Sequence, residues 1–428
     1  MNRENLEICL GESGVLVGSL LYESSGNREY SSFEYAPSWL ESPDAFALAP
    51  ALTLGEGKKF FRGDRPFPPV LMDTLPDSWG KKVLMQHARL TGSKQQINSL
   101  FFLLAVSDFC RIGASRIRKT GNGTQFLAAG QSDMLPQLYD LGEFSKTIRD
   151  IETNNPDTEA LRRFIIPGSS LGGARPKCSI LDAQSKLCVA KFTSHNDSRA
   201  AERAEAVTLR LARMCGIDAP DVTLVEGPTR NLPIAVIERF DRIEGKRIPY
   251  ISAQTMLNSP TADEGIYTDI ADAIRMNGIE PKTDLRSLFQ RILFTILASN
   301  VDDHLKNHGF LYAGNGKWRL SPVFDVNPFP ERFKQLKTAI ADPAENAASV
   351  ELLLEHAFYF EMDKDEAAET AVTMAQTVGK NWMKFCQEMG MSDTEIQEYQ
   401  PAFEHKETEF AKNLTKPRLF VEFDDNDI

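Results

Sequence analysis

The chain has 428 residues, 42% of them hydrophobic, which is enough for two or three lobes with their own cores. Its 48 basic and 60 acidic residues leave a net charge of −12, which argues against direct electrostatic binding of nucleic acid. No run reaches the apolar length of a membrane span, and the start MNRENLEICL lacks a basic region followed by an apolar core. Six scattered cysteines without a CxxC pair fit reduced core thiols, so no membrane and a cytoplasmic location are expected.

In chain order, residues 14–22 (GVLVGSLLY) and 28–35 read as two strands across a Ser-Gly-Asn turn. An apolar segment from Ala45 to Leu54 ends at Gly55, and an aromatic, proline-rich connector follows to Pro69. PDSWGKKVLMQHARL predicts a helix opening at Pro76 and Asp77. NSLFFLLAVS (98–107) predicts a second, buried helix, and a strand is expected around Ser115 to Ile117. Together these predict an α+β N-terminal subdomain over 1–130, in which Asp73, Asp77 and Arg111 read as caps and surface charges.

Helical signals fill 131–165, broken by Asn154, Asn155 and Pro156. IIPGSSLGGARPKCSILD (165–182) then places Gly168, Ser169, Ser170, Gly172, Gly173 and Ala174 in a small-residue loop between apolar strands. Its backbone amides can approach phosphate oxygens while Arg175 or Lys177 supplies charge. The loop matches neither GxxxxGK[ST] nor GxGxxG, and a plain glycine-rich turn would read the same way. In the next strand, LCVAKFTS, Lys191 either snorkels at an edge or is held inside by anions.

The helix DSRAAERAEAVTLRLARMCG is expected to start on Asp197 or Ser198, bury Val207, Leu211 and Met214, and stop at Gly216. Glu202 and Glu205 are either partners for Lys191 or surface charges. The strands DVTLVEG and LPIAVIERF follow. The second ends in Glu238, Arg239 and Phe240, which suits a hinge whose backbone meets an adenine edge beside Phe240. Residues 131–240 thus read as a sheet lobe and 241–428 as a helical lobe, closed by the acidic tail EFDDNDI.

The most informative stretch is SNVDDHLKNHGFLYAGNGKWRLSPVFDVN (299–327). A buried helix leads into a polar loop carrying Asp302, Asp303, His304, Lys306 and Asn307, then into two strand-like runs around a Gly-Asn-Gly turn, the second ending at Asp325. Asp302 and Asn307 have the interval of a protein-kinase catalytic loop, where the aspartate accepts the substrate proton and the asparagine holds a metal ion. Asp325 stands where a second metal aspartate is expected, and these oxygen donors suit Mg²⁺. A solvated loop that merely caps a helix would carry the same residues. Zinc is disfavoured because His308 sits in the turn before an apolar strand and no other His or Cys lies at zinc-ligand spacing, and His304 reads as a hydrogen-bonding brace.

Taken in order, SLGGARPK, VAKF, AEAVTLRLA, IERFDR, DDHLKNHGF and SPVFDVNP resemble the core of the HipA-type serine/threonine kinases, the toxin half of bacterial HipBA toxin–antitoxin modules. GVLVGSL, LPDSWGKKVL and LLAVSDFCRIGASRI are similar to that family's N-terminal subdomain, so the resemblance spans most of the chain. It implies an α+β, bilobal kinase-like fold with an N-terminal α+β subdomain, a mixed-sheet lobe and a mostly helical C-terminal lobe.

The resemblance also implies roles. Asp302 would be the base, Asn307 and Asp325 the magnesium ligands, and Lys191 the phosphate lysine with Glu205 as partner. Gly172, Gly173, Ala174, Arg175 and Lys177 would cover the phosphates, with His304 and Lys306 also at the nucleotide and Glu238 and Phe240 at adenine. Ser170, or Ser169 beside it, matches the serine whose autophosphorylation ejects the loop and switches the kinase off. Asp303 departs from the small residue that family members can carry there, and the spacing to Asn307 favours Asp302 as the base. The implied ligands are ATP and Mg²⁺. The implied partners are a HipB-like helix-turn-helix antitoxin, a protein substrate with aminoacyl-tRNA synthetases among the candidates, and DNA only through the antitoxin. Two other readings use the same residues: a kinase-fold binding protein or co-repressor, and a small-molecule kinase.

Overall fold

Alternating apolar and polar residues build the first layer. β1 (Asn2–Leu10), β2 (Val15–Ser25), β3 (Arg28–Tyr35), β4 (Lys59–Arg62) and β5 (Ser115–Lys119) form one antiparallel sheet in the order β4-β3-β2-β1-β5. Leu6, Ile8, Val17, Leu20 and Tyr22 turn from it into the core. The computed structural model describes residues 2–414 apart from 122, 124, 129–134, 171, 228–232, 332, 333 and 343. Leu171 of the glycine loop, parts of the KTGNGTQ segment and the acidic tail therefore lie outside the described residues.

Helices α1 (Pro37–Leu40), α2 (Pro69–Met72), α3 (Ser78–Leu90) and α4 (Ser99–Ala105) complete this region. Asn98 caps α4 by accepting from Phe101 N. The apolar run at 45–54 forms no helix or strand, yet it buries Phe46, Leu48, Ala49 and Leu52. Phe46 stacks on Tyr312 of the third lobe with ring centroids 3.7 Å apart.

The second lobe pairs α5 (Leu141–Glu152) and α6 (Thr158–Gly168) with a four-stranded sheet. Its strands β6 (Lys177–Leu181), β7 (Leu187–Phe192), β8 (Val222–Val225) and β9 (Ile234–Glu238) run in the order β6-β7-β9-β8. Every pairing in it is antiparallel, so the sheet is not mixed as expected. α7 (Ala201–Met214) connects β7 to β8. Trp79 and Val83 of α3 join Phe164, Cys178, Ala190 and Val236 in this lobe's core, so a helix from before residue 130 is built into the second lobe.

The third lobe begins with the short strands β10 (Arg242–Ile243), β11 (Lys246–Arg247) and β12 (Tyr250–Ser252), helix α8 (Ala253–Met256) and strand β13 (Gly265–Ile266). α9 (Tyr267–Asn277) and α10 (Pro281–Leu297), buried over its C-terminal half, lead to β14 (Gly309–Gly314), β15 (Lys317–Leu320) and β16 (Thr338–Ala339). α11 (Val350–Glu355), α12 (Lys364–Glu388), α13 (Asp393–Phe403) and α14 (Lys406–Lys412) close the lobe. Among the described residues, no helix is long and apolar enough to cross a membrane.

Several local expectations change. Strand β1 was not anticipated, and the glycine loop follows a helix, α6, rather than a strand. Helix α7 starts after Ala200 with no side-chain cap, because Asp197 is drawn off to Arg175 and Ser194 N. Met214 is exposed, and Glu202 and Glu205 are buried instead. The run after β15 is not a strand at Asp325. Arg111 is no surface charge: it is buried and donates to Leu103 O and Val106 O.

Candidate active site

A cavity of about 190 Å³ opens where the three regions meet. Its charged floor follows from strand register. Lys177 and Lys191 are direct partners on β6 and β7, so both side chains leave the same face of the sheet. Lys191 Nζ donates to Glu205 Oε1 of α7 at 2.5 Å and to Asp325 Oδ1 at 2.7 Å.

Burial works against every charge in this group. It is outweighed at Asp325, which the Lys191 and Lys177 ammonium groups hold well below the carboxylate range. It is outweighed also at Lys191, which Asp325 and Glu205 keep firmly protonated. Burial prevails at Glu205, whose carboxyl is pushed up, and at Lys177, which is pushed down with Lys191 beside it. Asp325 has the left-handed φ of +57°, costly for a non-glycine residue, and Asn327 Nδ2 secures its Oδ1 at 3.1 Å.

The loop after α10 supplies the opposite wall. It is braced by main-chain bonds from His304 N to Asp302 O and from Asn307 N to His304 O, at 3.0 and 2.8 Å. The His304 ring does not brace it as expected: its buried Nδ1 has no hydrogen-bond partner among the described residues. Asn307 Nδ2 donates to Asp302 O at 3.1 Å, so its Oδ1 takes no part in that bond.

The adjacent aspartates differ sharply. Asp303 is buried, accepts from Tyr267 OH at 2.5 Å and contacts His308 Nε2 at 3.0 Å, so it anchors the loop. Asp302 is exposed to a neighbouring cleft of about 570 Å³ that also touches Asn327, Lys337 and Tyr399. Burial, with Asp325 adding to it, raises the Asp302 carboxyl above its ordinary value.

The glycine loop forms the roof. Gly173 has φ +88°, a conformation that strains a residue with a side chain, and a Cβ there would sit 2.6 Å from Lys177 Nζ and displace it. Gly173 N donates to Asp77 Oδ2 at 2.9 Å, and Lys306 Nζ donates to Asp77 Oδ1 at 2.8 Å. Ser170 reaches the cavity but is buried, with its Oγ 3.4 Å from Ser179 Oγ; Ser169 is fully buried behind it, its Oγ without a partner among the described residues.

Arg175 turns away to Asp197 and Glu202, at 2.5 Å from each, on the flank of α7. At the hinge end, Phe240 packs against Phe324 and Tyr250 with centroids 5.3 and 6.0 Å apart. The Glu238 carboxylate is bonded to Lys186 Nζ at 2.9 Å.

Of the residues singled out in the sequence, Ser170, Gly172, Gly173, Lys177, Lys191, Glu205, Glu238, Phe240, His304, Lys306, Asn307 and Asp325 line one cavity. Ala174, Arg175, Ser169 and Asp302 do not; Arg175 and Asp302 share the neighbouring cleft. Asp73 and Asp77 were missed, read as caps and surface charges. Asp73 instead accepts from Ser252 N and Oγ, each at 2.7 Å, and both aspartates line the cavity. Only position in the fold could reveal them, since Asp77 is 96 residues from Gly173 and 229 from Lys306.

The oxygen donors of Asn307 and Asp325 on one cavity fit a hard cation such as Mg²⁺. Among the described residues, no group of three or more His, Cys, Asp or Glu could hold a metal, so such an ion would depend on other oxygens for its remaining ligands.

Comparison with known proteins agrees with this layout. Residues 169–382 match the family model of the HipA-like C-terminal domain, and residues 6–114 that of the HipA N-terminal domain. A provisionally named kinase of Haemophilus influenzae is 25% identical over 257 residues, 54% of this chain and 73% of that protein. A similarly named protein of Sinorhizobium fredii, Y4dM, is 34% identical over 136 residues, 28% of this chain and 32% of that protein. Among solved structures, HipA of Shewanella oneidensis MR-1, in a complex with HipB and operator DNA, superimposes with a TM-score of 0.65 and 17% identity, covering 93% of this chain and 96% of that one.

Proposed function

The chain belongs to the HipA family, and on that premise we propose that it is an ATP- and magnesium-dependent serine/threonine protein kinase, the toxin of a toxin–antitoxin module. The observation that carries the reading is the meeting of Lys191, Glu205 and Asp325 beneath a glycine loop, with Asn307 on the same cavity.

In this reading the aromatic group of Phe240, Phe324 and Tyr250 receives adenine. Lys177, Lys191, Lys306 and the glycine-loop amides face the phosphates. Asp325 and Asn307 would hold Mg²⁺, which supplies charge neutralisation at the phosphates. Asp302, on the adjoining cleft, accepts the proton of the acceptor hydroxyl. That cleft is where a protein substrate's serine or threonine would enter, and an aminoacyl-tRNA synthetase is one candidate. Ala174 and Arg175 would act from beside the phosphates, Arg175 by fixing α7 and with it Glu205.

A HipB-like helix-turn-helix antitoxin is the expected partner, since the Shewanella HipA is found with HipB and operator DNA. DNA would then be met through that partner, consistent with this chain's own charge of −12. Autophosphorylation at Ser170, or at Ser169, would require the serine to leave its buried seat, which would open the roof of the cavity.

The test is incubation with labelled ATP and magnesium, alone and with cell lysate, followed by identification of labelled serine and threonine peptides. Transfer to protein supports the kinase, whereas label confined to a small molecule, or no transfer at all, overturns it. A small helix-turn-helix protein that copurifies and suppresses the transfer would support the antitoxin.

A further inference from the structure

Asp77 occupies the N-cap of α3, where an aspartate ordinarily accepts from the backbone of its own helix. It makes no such bond. Its two oxygens accept instead from Gly173 N at 2.9 Å and Lys306 Nζ at 2.8 Å, one donor from the glycine loop and one from the catalytic loop. Burial opposes the charge, but Lys306 outweighs it and holds the acid ionised, below its usual range. A main-chain N–H beside a lysine ammonium is a pair suited to a phosphate oxygen.

We propose that the Asp77 carboxylate sits in the seat of a phosphate and competes with the phosphates of a nucleoside triphosphate for Gly173 N–H and the Lys306 ammonium. The inference rests on the nucleotide reading above. Because the competitor belongs to the same chain, it is present at high effective concentration, so every polyphosphate must displace it to bind. The N-terminal region thereby sets nucleotide affinity through one side chain at the start of α3. It acts on the phosphates and leaves the aromatic adenine end, where Phe240 and Phe324 lie, untouched.

The test is calorimetric titration of the full chain, as wild type, Asp77→Asn and Asp77→Ser, with ATP, adenosine and inorganic tripolyphosphate. Asn keeps the volume without the charge, and Ser retains a side chain able to cap α3, so at least one variant preserves the fold. Both should bind ATP and tripolyphosphate about tenfold more tightly, the loss of one anionic competitor for a charge-assisted pair, with adenosine unchanged. The Gly173 amide should lose hydrogen-exchange protection in Asp77→Ser, whose shorter side chain no longer reaches it, whereas the amide oxygen introduced by Asp77→Asn can still accept from it.

Equal or weaker binding of ATP and tripolyphosphate by the variants overturns the proposal. If no form binds ATP, the kinase reading fails, and the proposal is still decided by the other probes. Tighter tripolyphosphate binding by both variants together with loss of Gly173 protection in Asp77→Ser sustains it, while absence of either overturns it.

Discussion

Lys191 Nζ lies 2.7 Å from Asp325 Oδ1, joining a strand of the sheet lobe to the segment after β15 across 134 residues of sequence. Glu205 holds the other side of the same ammonium. Both carboxylates support the Lys191 charge and Lys191 supports theirs, while the two carboxylates oppose each other, so the arrangement depends on the one cation between them.

Replacing the cation exposes that dependence. Lys191→Met leaves Glu205 and Asp325 facing each other in a buried site, and removing one partner of a buried pair costs roughly 3–5 kcal/mol. The expected loss lies at the lower end because the Asp325 side chain keeps 30% of its exposure. Urea unfolding measures it, and Lys191→Met with Glu205→Gln should recover part of the loss; an unchanged midpoint in the single variant would show that the pair does not matter for folding.

Neighbouring aspartates should fail in different ways. Asp302→Asn, exposed and free of packing duties, should unfold as wild type while phosphate transfer drops by about 10²–10⁴-fold. Asp303→Asn unsettles the buried bonds to Tyr267 and His308 and should cost about 1–3 kcal/mol. Thermal melts paired with labelled-phosphate transfer separate the two; transfer retained by Asp302→Asn would remove it from the chemistry.

Ser170 is 4% exposed beneath the roof, next to Ser179. Ser170→Asp places a charge where none is solvated, so the loop should open and ATP affinity fall by about tenfold or more, while Ser170→Ala should bind ATP as wild type does. Isothermal titration of both variants checks this, and unchanged affinity in Ser170→Asp would refute it.

Acid stability should follow His405. Burial first, then the Lys334 cation, holds its imidazole down to about 4 against an ordinary 6.5. The unfolded chain takes up the proton first. Stability is therefore full above pH 6.5 and is lost as the pH falls toward about 4, by up to about 3 kcal/mol. Denaturant midpoints across pH 4–7 should show this slope, and His405→Gln should flatten it.

Much of the site could be read from local pattern. The apolar strand around Lys191, the glutamates of the next helix, the interval from Asp302 to Asn307 and the glycine loop are short-range signals, set by side-chain period and turn chemistry. Their order along the chain carried the family resemblance. Helix α3 and the β2–β3 hairpin were legible for the same reason, since each is stabilised by residues near in sequence.

Pairing between distant segments was not legible. Which glutamate met Lys191 depended on which face of α7 packs on the sheet, and that face was chosen by burial: it left Met214 in solvent and Glu202 with Arg175. Which of Asp302 and Asp303 stayed free depended on Tyr267 and His308 closing on the latter.

The amino-acid sequence by itself determined many of the elements, the charged and glycine positions and the family resemblance, because local period and spacing are properties of neighbouring residues. Only the tertiary structure decided that Asp77 bridges two loops, that Arg175 turns to α7 and that Ser169 and Ser170 are buried. Those outcomes are fixed by the close packing of segments far apart in the chain, where a charge persists only beside a partner that no local pattern names.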